Sequence, residues 1–238
     1  MPASASYTDV HRAFLQAVSQ HGTVSAKQAY KILLSEYGKY HNDETVPTED
    51  DVPDAVALIN SKLHRFDKKI VFVHYEPTNA DFYCFCPQAE TAVDRLQNYY
   101  SKPELSLFRL MLKELACSEG HKVRPIVCLN LTAEITGKTI TKVRAEELLD
   151  EWEKLGYFVQ MDEMWYFGPK TVAEFDRYLS AHFAEHMHKC LLCNEMDFYG
   201  VKCAKCPETL HKECLKKYLR RLTNCPGCQQ PWAVSVFN

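Results

Sequence analysis

Eight candidate metal ligands near the C-terminal end constrain this chain more than any other feature. They follow the string Cys190-x(2)-Cys193-x(9)-Cys203-x(2)-Cys206-x(4)-His211-x(2)-Cys214-x(10)-Cys225-x(2)-Cys228. Four pairs with two-residue gaps supply enough sulfur and nitrogen donors for two tetrahedral zinc ions. Because the thiols must lose their protons to bind, metal affinity becomes folding free energy for a segment with little core of its own. We predict that this region is unfolded without zinc.

The spacing leaves two pairings of the ligands open. Sequential pairing would give two separate zinc beads. Interleaved pairing would give one compact unit, with Cys190, Cys193, His211 and Cys214 at one ion and Cys203, Cys206, Cys225 and Cys228 at the other. The order of four cysteines, one histidine and three cysteines resembles RING and PHD fingers. That resemblance implies the interleaved cross-brace.

Residues between the ligands favour a RING over a PHD finger. Thr223 stands where PHD fingers usually carry an aromatic residue. Leu192, Tyr218 and Pro226 match apolar positions by which RING domains dock a ubiquitin-conjugating enzyme, although packing within a small domain would also explain Leu192 and Tyr218. Gln229 follows the eighth ligand, where active RING domains often carry Arg or Lys. We therefore expect weak ligase activity from the chain alone.

The first hundred residues predict a winged-helix domain. Apolar residues at helical spacing indicate three helices, of which the first ends at Gly22 and the second at Gly38. The acidic and polar stretch 41–53 predicts a loop. IVFVHYE and DFYCFCP flank PTNA and predict a β-hairpin, because β-branched and aromatic residues surround a turn. Three helices and a hairpin outline a winged helix.

The next 85 residues predict a second domain of the same outline. A helix follows Pro103, the apolar segment 123–131 could be extended, and Thr141 can cap another helix. YFVQMDEMWYFGP predicts a short hairpin, and we expect a last helix over 172–186. The predicted fold class is α+β, with winged-helix domain A at 1–100, winged-helix domain B at 101–185 and a variant RING-type zinc finger at 186–238.

Cysteine usage indicates a reducing compartment. Seven of the 11 cysteines are clustered as ligands, whereas Cys84, Cys86, Cys117 and Cys128 are scattered and are expected to be buried apolar residues. The sequence shows neither a secretory signal nor an apolar run of the roughly 20 residues that span a bilayer. We expect an intracellular protein with no membrane partner.

Charge is unevenly distributed along the chain. Residues from 186 onward carry eight Lys/Arg and four Asp/Glu, a net of about +4, which leaves about −7 for the rest of a chain of net charge −3. An acidic body argues against broad nonspecific DNA affinity. We expect the winged helices to bind protein rather than DNA. A basic group near the first candidate recognition helix keeps DNA contact as a third hypothesis: Lys62, Arg65, Lys68 and Lys69.

The motifs HKCLLCN, GVKCAKC, LHKECLKKYLRR and NCPGC, with the upstream segment LLDEWEKLGYF, resemble one family along essentially the whole chain. It is the non-SMC element one family, the variant-RING subunit of the SMC five–six complex. The resemblance implies a nuclear, chromatin-associated factor in DNA double-strand break repair by homologous recombination. It further implies a RING-type ubiquitin ligase whose activity depends on its partner.

The resemblance also implies the partners. These are a MAGE-type winged-helix subunit, a kleisin-like non-SMC element, the SMC five–six heterodimer and a ubiquitin-conjugating enzyme. We expect any contact with DNA to be indirect. The alternative hypothesis is a non-catalytic structural subunit whose zinc module docks partner proteins.

Overall fold

The computed structural model describes residues 6–40, 46–88, 96, 99–137 and 139–232. Two winged-helix units are followed by a small module that carries the eight candidate ligands, so the predicted α+β fold class is confirmed. Within the described ranges, none of the helices combines the length and the apolar character needed to cross a bilayer.

The first winged helix consists of three helices and a three-stranded antiparallel sheet. Its elements are α1 (Asp9–His21), β1 (Thr23–Ser25), α2 (Ala26–Tyr40), α3 (Asp51–Leu63), β2 (Lys68–Tyr75) and β3 (Ala80–Pro87). The strand order is β1-β3-β2, which leaves β2 at the edge. As predicted, α1 ends at Gly22, whose φ of 71° suits a residue without a side chain.

The side chain of Asn60 fastens α3 to this edge strand. Its amide nitrogen donates to the carbonyl of Ile70 at 2.8 Å, and its amide oxygen accepts from the Ile70 N–H at 2.7 Å. The Asn60 amide therefore imitates a neighbouring strand at one position of β2. Phe14, Val18 and Ile59 pack behind the sheet and are fully buried.

The second winged helix also combines helices with a three-stranded antiparallel sheet, and it has additional short helices. Its elements are α4 (Lys102–Cys117), β4 (Lys122–Val123), α5 (Pro125–Asn130), α6 (Lys142–Lys154), β5 (Phe158–Met161), β6 (Met164–Phe167), α7 (Pro169–Glu174) and α8 (Asp176–His182). The strand order is β4-β6-β5. The Thr141 hydroxyl accepts from the Arg144 N–H at 3.2 Å, so the predicted cap of α6 is confirmed. Phe108, Trp152 and Phe158 form an aromatic core.

Several local predictions were wrong. Helix α2 continues through Gly38. Helix α3 already starts at Asp51, because proline is tolerated in a first helical turn and Pro53 lies there. Residues 41–45 of the predicted loop lie outside the described residues. The segment 123–131 is mainly helical, and the last helix is broken at Phe175, whose ring is buried beside Phe108.

The scattered cysteines have different environments. Cys84, Cys86 and Cys128 are buried, as predicted. Cys117, at the end of α4, is exposed instead. Burial raises the pKa of Cys84 to about 12, which keeps its thiol protonated and suits a residue that packs as an apolar group.

One backbone carbonyl joins three parts of the chain. The Phe167 carbonyl at the end of β6 accepts the hydroxyl of Tyr75 from β2 at 2.8 Å and the hydroxyl of Tyr199 from the C-terminal module at 3.1 Å. The two tyrosine rings meet edge to face, with their centroids 5.8 Å apart. The wing of the first winged helix thus packs against both other units.

Candidate metal centre

The C-terminal module consists of two short ribbons and one helix. Its elements are β7 (His188–Lys189), β8 (Met196–Asp197), β9 (Val201–Lys202), β10 (Thr209–Leu210) and α9 (Lys212–Leu219), with β7 paired to β8 and β9 to β10. Among its described residues, the module's own cluster of buried hydrophobic side chains consists of Cys190, Leu210 and Leu215. A core of this size needs additional crosslinks.

The eight candidate ligands fall into two groups. One group is Cys190, Cys193, His211 and Cys214, and the other is Cys203, Cys206, Cys225 and Cys228. Within each group the ligand atoms lie within 4.8 Å of one another. The arrangement is the interleaved one, because the first and third pairs along the chain form one group and the second and fourth pairs form the other.

The distances in the all-cysteine group fit a tetrahedral ion. The Sγ atoms of Cys203 and Cys228 are 3.9 Å apart, and those of Cys206 and Cys225 are 3.8 Å apart. Four sulfurs at the usual Zn–S distance of about 2.3 Å would be separated by about 3.8 Å. These two separations match the geometry of a tetrahedral zinc site.

His211 is oriented for coordination in the other group. Its Nδ1 lies 3.3 Å from the Sγ of Cys193 and 3.9 Å from the Sγ of Cys214. Its Nε2 lies 3.0 Å from the Met196 carbonyl, to which an Nε2–H can donate. A ligating histidine typically uses its second nitrogen in this way, which fixes the ring and the tautomer.

The electrostatics of the thiols also suit a cation. The Lys205 N–H, 3.4 Å from the Cys203 sulfur, is the main cause that lowers the pKa of Cys203 to about 7. The Glu208 N–H favours the Cys206 thiolate, but burial and the neighbouring thiols outweigh it and raise the pKa of Cys206 to about 12. The Cys203 thiolate therefore forms readily, whereas the Cys206 thiol resists ionisation. A divalent cation at the centre of the group would remove that resistance.

The residues predicted to dock a conjugating enzyme lie at the surface of the same module. Leu192 is 38% exposed, Tyr218 is half-buried on α9, and Pro226 lies between the last two cysteines. The first and last cysteine turns are neighbours, since a Cβ at Gly227 would come 3.3 Å from Cδ2 of Leu191. Docking by these residues stays a prediction.

The Gln229 side chain is folded back onto its own turn. Its Nε2 donates to the Pro226 carbonyl at 3.1 Å, and its backbone has a φ of 60°. The neutral amide of Gln229 is thus engaged within its own turn.

The structure adds residues that sequence reasoning missed. Oε1 of Glu76, at the tip of the first wing, accepts the N–H of Lys212 at 2.6 Å, directly beside the candidate ligand His211. The Asp197 carboxylate accepts the Gly200 N–H at 2.7 Å, and any Cβ at Gly200 would lie 2.3 Å from that carboxylate. The pair Asp197 and Gly200 could have been suspected from a D-x-x-G turn, whereas no local signal points to Glu76.

The two candidate recognition helices, α3 and α6, differ in charge. Lys62, Arg65, Lys68 and Lys69 are exposed, and the Arg65 guanidinium lies 4.9 Å from the ring centroid of Phe66. By contrast, the exposed side of α6 carries four carboxylates: Glu146, Glu147, Asp150 and Glu151. DNA contact by the basic group stays a hypothesis, and α6 would repel phosphate.

Comparison with known proteins decides the family. Residues 11–152, more than half of the chain, match the family model described as the Nse1 non-SMC component of the SMC5-6 complex. This chain belongs to the Nse1 family. Residues 190–228 match a second model, a RING-like domain, which begins and ends at the first and last candidate ligands.

Relatives of the Nse1 family align along almost the whole chain. A non-structural maintenance of chromosomes element 1 homolog of Drosophila melanogaster is 26% identical over 95% of this chain and 97% of its own length. The Homo sapiens homolog is 25% identical over 94% of this chain and 84% of its own length. A solved chain from an "Nse1-Nse3-Nse4 complex" shares the fold, with a TM-score of 0.82, 21% identity, and coverage of 98% of this chain and 100% of that one.

Proposed function

We propose that this chain is the RING-type ubiquitin ligase subunit of an SMC five–six complex and acts in DNA double-strand break repair by homologous recombination. The observation that carries the proposal is the interleaved grouping of eight ligands in a segment that matches a RING-like domain. A ligase of this type forms no covalent intermediate. It binds a ubiquitin-charged conjugating enzyme and holds the thioester in a reactive geometry, so its contribution is positioning.

Two zinc ions would hold the docking surface in shape. The chemistry that zinc supplies here is structural, because four protein ligands at each ion leave no open coordination position. Leu192, Tyr218 and Pro226 would then contact the conjugating enzyme from a surface fixed by the cysteine turns. The second hydrogen bond of His211, to Met196, would preserve the orientation of one ligand.

The winged helices would bind a MAGE-type subunit and, with it, a kleisin-like element that joins the SMC five–six heterodimer. The similar solved chain belongs to an Nse1-Nse3-Nse4 complex, which supports such an assembly. The exposed side of α6 suits a protein partner, because it combines carboxylates with Val143, which is 66% exposed. The protein would act in the nucleus on chromatin.

Partner dependence follows from Gln229. The residue carries no charge and its amide already donates to Pro226, so it is poorly placed to contact ubiquitin. A MAGE-type partner that orders the complex would compensate for this missing contact.

The test is chain formation by the zinc-loaded protein with its partner and a panel of conjugating enzymes. Leu192→Ala should lower ligation at unchanged zinc content, because it removes an exposed docking side chain and no ligand. The matched control is Ile126→Ala, which shortens an aliphatic side chain that is 53% exposed on α5, outside the zinc module. Equal chain formation by both variants would refute the docking assignment.

The second candidate function is a non-catalytic scaffold. The contact between Glu76 and Lys212 favours it, because the zinc module is built into the packing of the first wing. A scaffold predicts that Glu76→Ala weakens assembly with the partner subunits while ubiquitin transfer is absent from wild type and variant alike. Transfer by the wild-type complex would reject it.

A further inference from the structure

The end of α9 carries more positive charge than its surroundings neutralise. Lys216 forms an ion pair with Glu213 at 2.8 Å. Lys217, Arg220 and Arg221 are exposed, and none of them forms an ion pair within the described part of the chain. We call these three residues the basic rim.

The basic rim borders the predicted docking surface. Arg221 follows Tyr218 by three residues and its N–H donates to the Tyr218 carbonyl at 3.1 Å, while the Leu222 N–H donates to the same carbonyl at 3.2 Å. Residues three and four apart lie on the same side of a helical turn. Arg221 and the 53%-exposed Leu222 therefore accompany Tyr218 on one side, with Lys217 next to them.

We propose that the basic rim selects the conjugating enzyme by charge, so that the enzyme this chain accepts presents acidic side chains next to its RING-binding face. The inference rests on the proposed ligase function and names a property of its partner. Complementary charge at the edge of an interface raises the association rate, and like charge rejects competitors. Exposed cations that form no ion pair among the described residues, with Arg221 next to Tyr218, are suited to both effects.

The helix dipole explains only part of this charge. Cations in the last turn of a helix interact favourably with its C-terminal carbonyls, and Lys216 and Lys217 occupy that turn of α9. Arg220 and Arg221 lie beyond the last helical residue, Leu219. If the basic rim only stabilised the C-terminal end of α9, reversing its charge would lower the stability of the module and leave the choice of conjugating enzyme unchanged.

The experiment measures ubiquitin discharge by the partner-bound, zinc-loaded chain. One active conjugating enzyme is prepared in two forms, with acidic or basic residues at the edge of its RING-binding face. Wild type should discharge the acidic form about tenfold faster at low salt, and the ratio should shrink as salt is added. The rim variant Lys217→Glu, Arg220→Glu, Arg221→Glu should invert the preference.

A control reverses the same number of charges away from the rim. Lys122, Lys189 and Lys202 are also exposed, and their replacement by Glu should keep the wild-type preference. Both triple variants must retain two zinc ions per chain. A milder variant with Gln at the three rim positions should abolish the preference without inverting it, which keeps the test valid if the reversed rim fails to fold.

The possible outcomes separate the two proposals. No discharge of any enzyme by wild type would refute the ligase function itself. Discharge of both enzyme forms at equal rates, by wild type and rim variant alike, would overturn the charge selection alone. If discharge is insensitive to charge while the rim variant releases a labelled DNA duplex that wild type retains, the rim contacts phosphate and the inference is overturned.

Discussion

The carbonyl of Phe167 offers a quantitative test of how the three units are joined. Phe167 and Tyr75 are buried, with exposures of 0% and 2%, and the carbonyl accepts hydroxyls from both Tyr75 and Tyr199. Tyr75→Phe and Tyr199→Phe each delete one donor without changing the shape of the ring. Either variant alone leaves the carbonyl one partner.

The expected free-energy changes are not additive. Each lost hydrogen bond should lower the free energy of unfolding by about 1 kcal/mol. The double variant leaves a buried carbonyl unpaired, which adds about 1–2 kcal/mol and brings its total to about 3–4 kcal/mol. For a chain of this length, about 2–4 °C of melting temperature accompanies each kcal/mol, so the single variants should melt about 2–4 °C lower and the double variant about 6–16 °C lower.

The measurement is chemical or thermal unfolding of the zinc-loaded chain, followed by the fluorescence of Trp152 and Trp165 in the second winged helix. Tyr83→Phe is the matched control, because Tyr83 is 4% exposed in the same sheet and its hydroxyl has no hydrogen-bond partner among the described residues. It should change stability by less than about 0.5 kcal/mol. If the free-energy change of the double variant equals the sum of the two single changes within about 0.5 kcal/mol, the shared-carbonyl account is refuted.

Three further predictions concern the zinc module and its surroundings. Cys203→Ser should lower zinc content from about two ions per chain to about one and abolish ubiquitin transfer, as measured by metal analysis and a discharge assay; full zinc content would contradict the ligand assignment. Gln229→Arg should raise discharge by the chain without its partner, since it restores a cation where active RING domains often carry one, and an unchanged rate would argue against that role. Burial lowers the pKa of His121 below its ordinary value, so the unfolded state binds protons first and stability should fall as pH drops below about 6.5. His121→Gln should remove this part of the pH dependence. Parallel curves of stability against pH for wild type and variant, above the pH of zinc release, would refute the prediction.

The zinc module could be predicted in detail because its signal is local. Paired cysteines with two-residue gaps, such as Cys190 and Cys193, can be recognised as metal ligands from their spacing alone. The interleaved grouping could not be derived from that spacing and came from a resemblance. Helix starts with a side-chain cap, such as Thr141, were equally accessible from the sequence.

The failures have tertiary causes. An apolar run such as 123–131 is compatible with a strand or a buried helix, and periodicity alone does not choose between them. The helical spacing of apolar residues continues through 172–186, but burial of the Phe175 ring among Phe108 and Tyr157 interrupts the helix. Local sequence patterns could not predict the contacts between units, since 92 residues separate Tyr75 from Phe167 and 136 separate Glu76 from Lys212.

The most direct test of the ligase proposal is single-turnover discharge of ubiquitin from charged conjugating enzymes, with the chain verified to hold two zinc ions. The assay is run with the chain alone and with a MAGE-type partner. The account predicts slow discharge alone and faster discharge with the partner. Absence of discharge under every pairing would contradict it and leave the scaffold as the function of this zinc module.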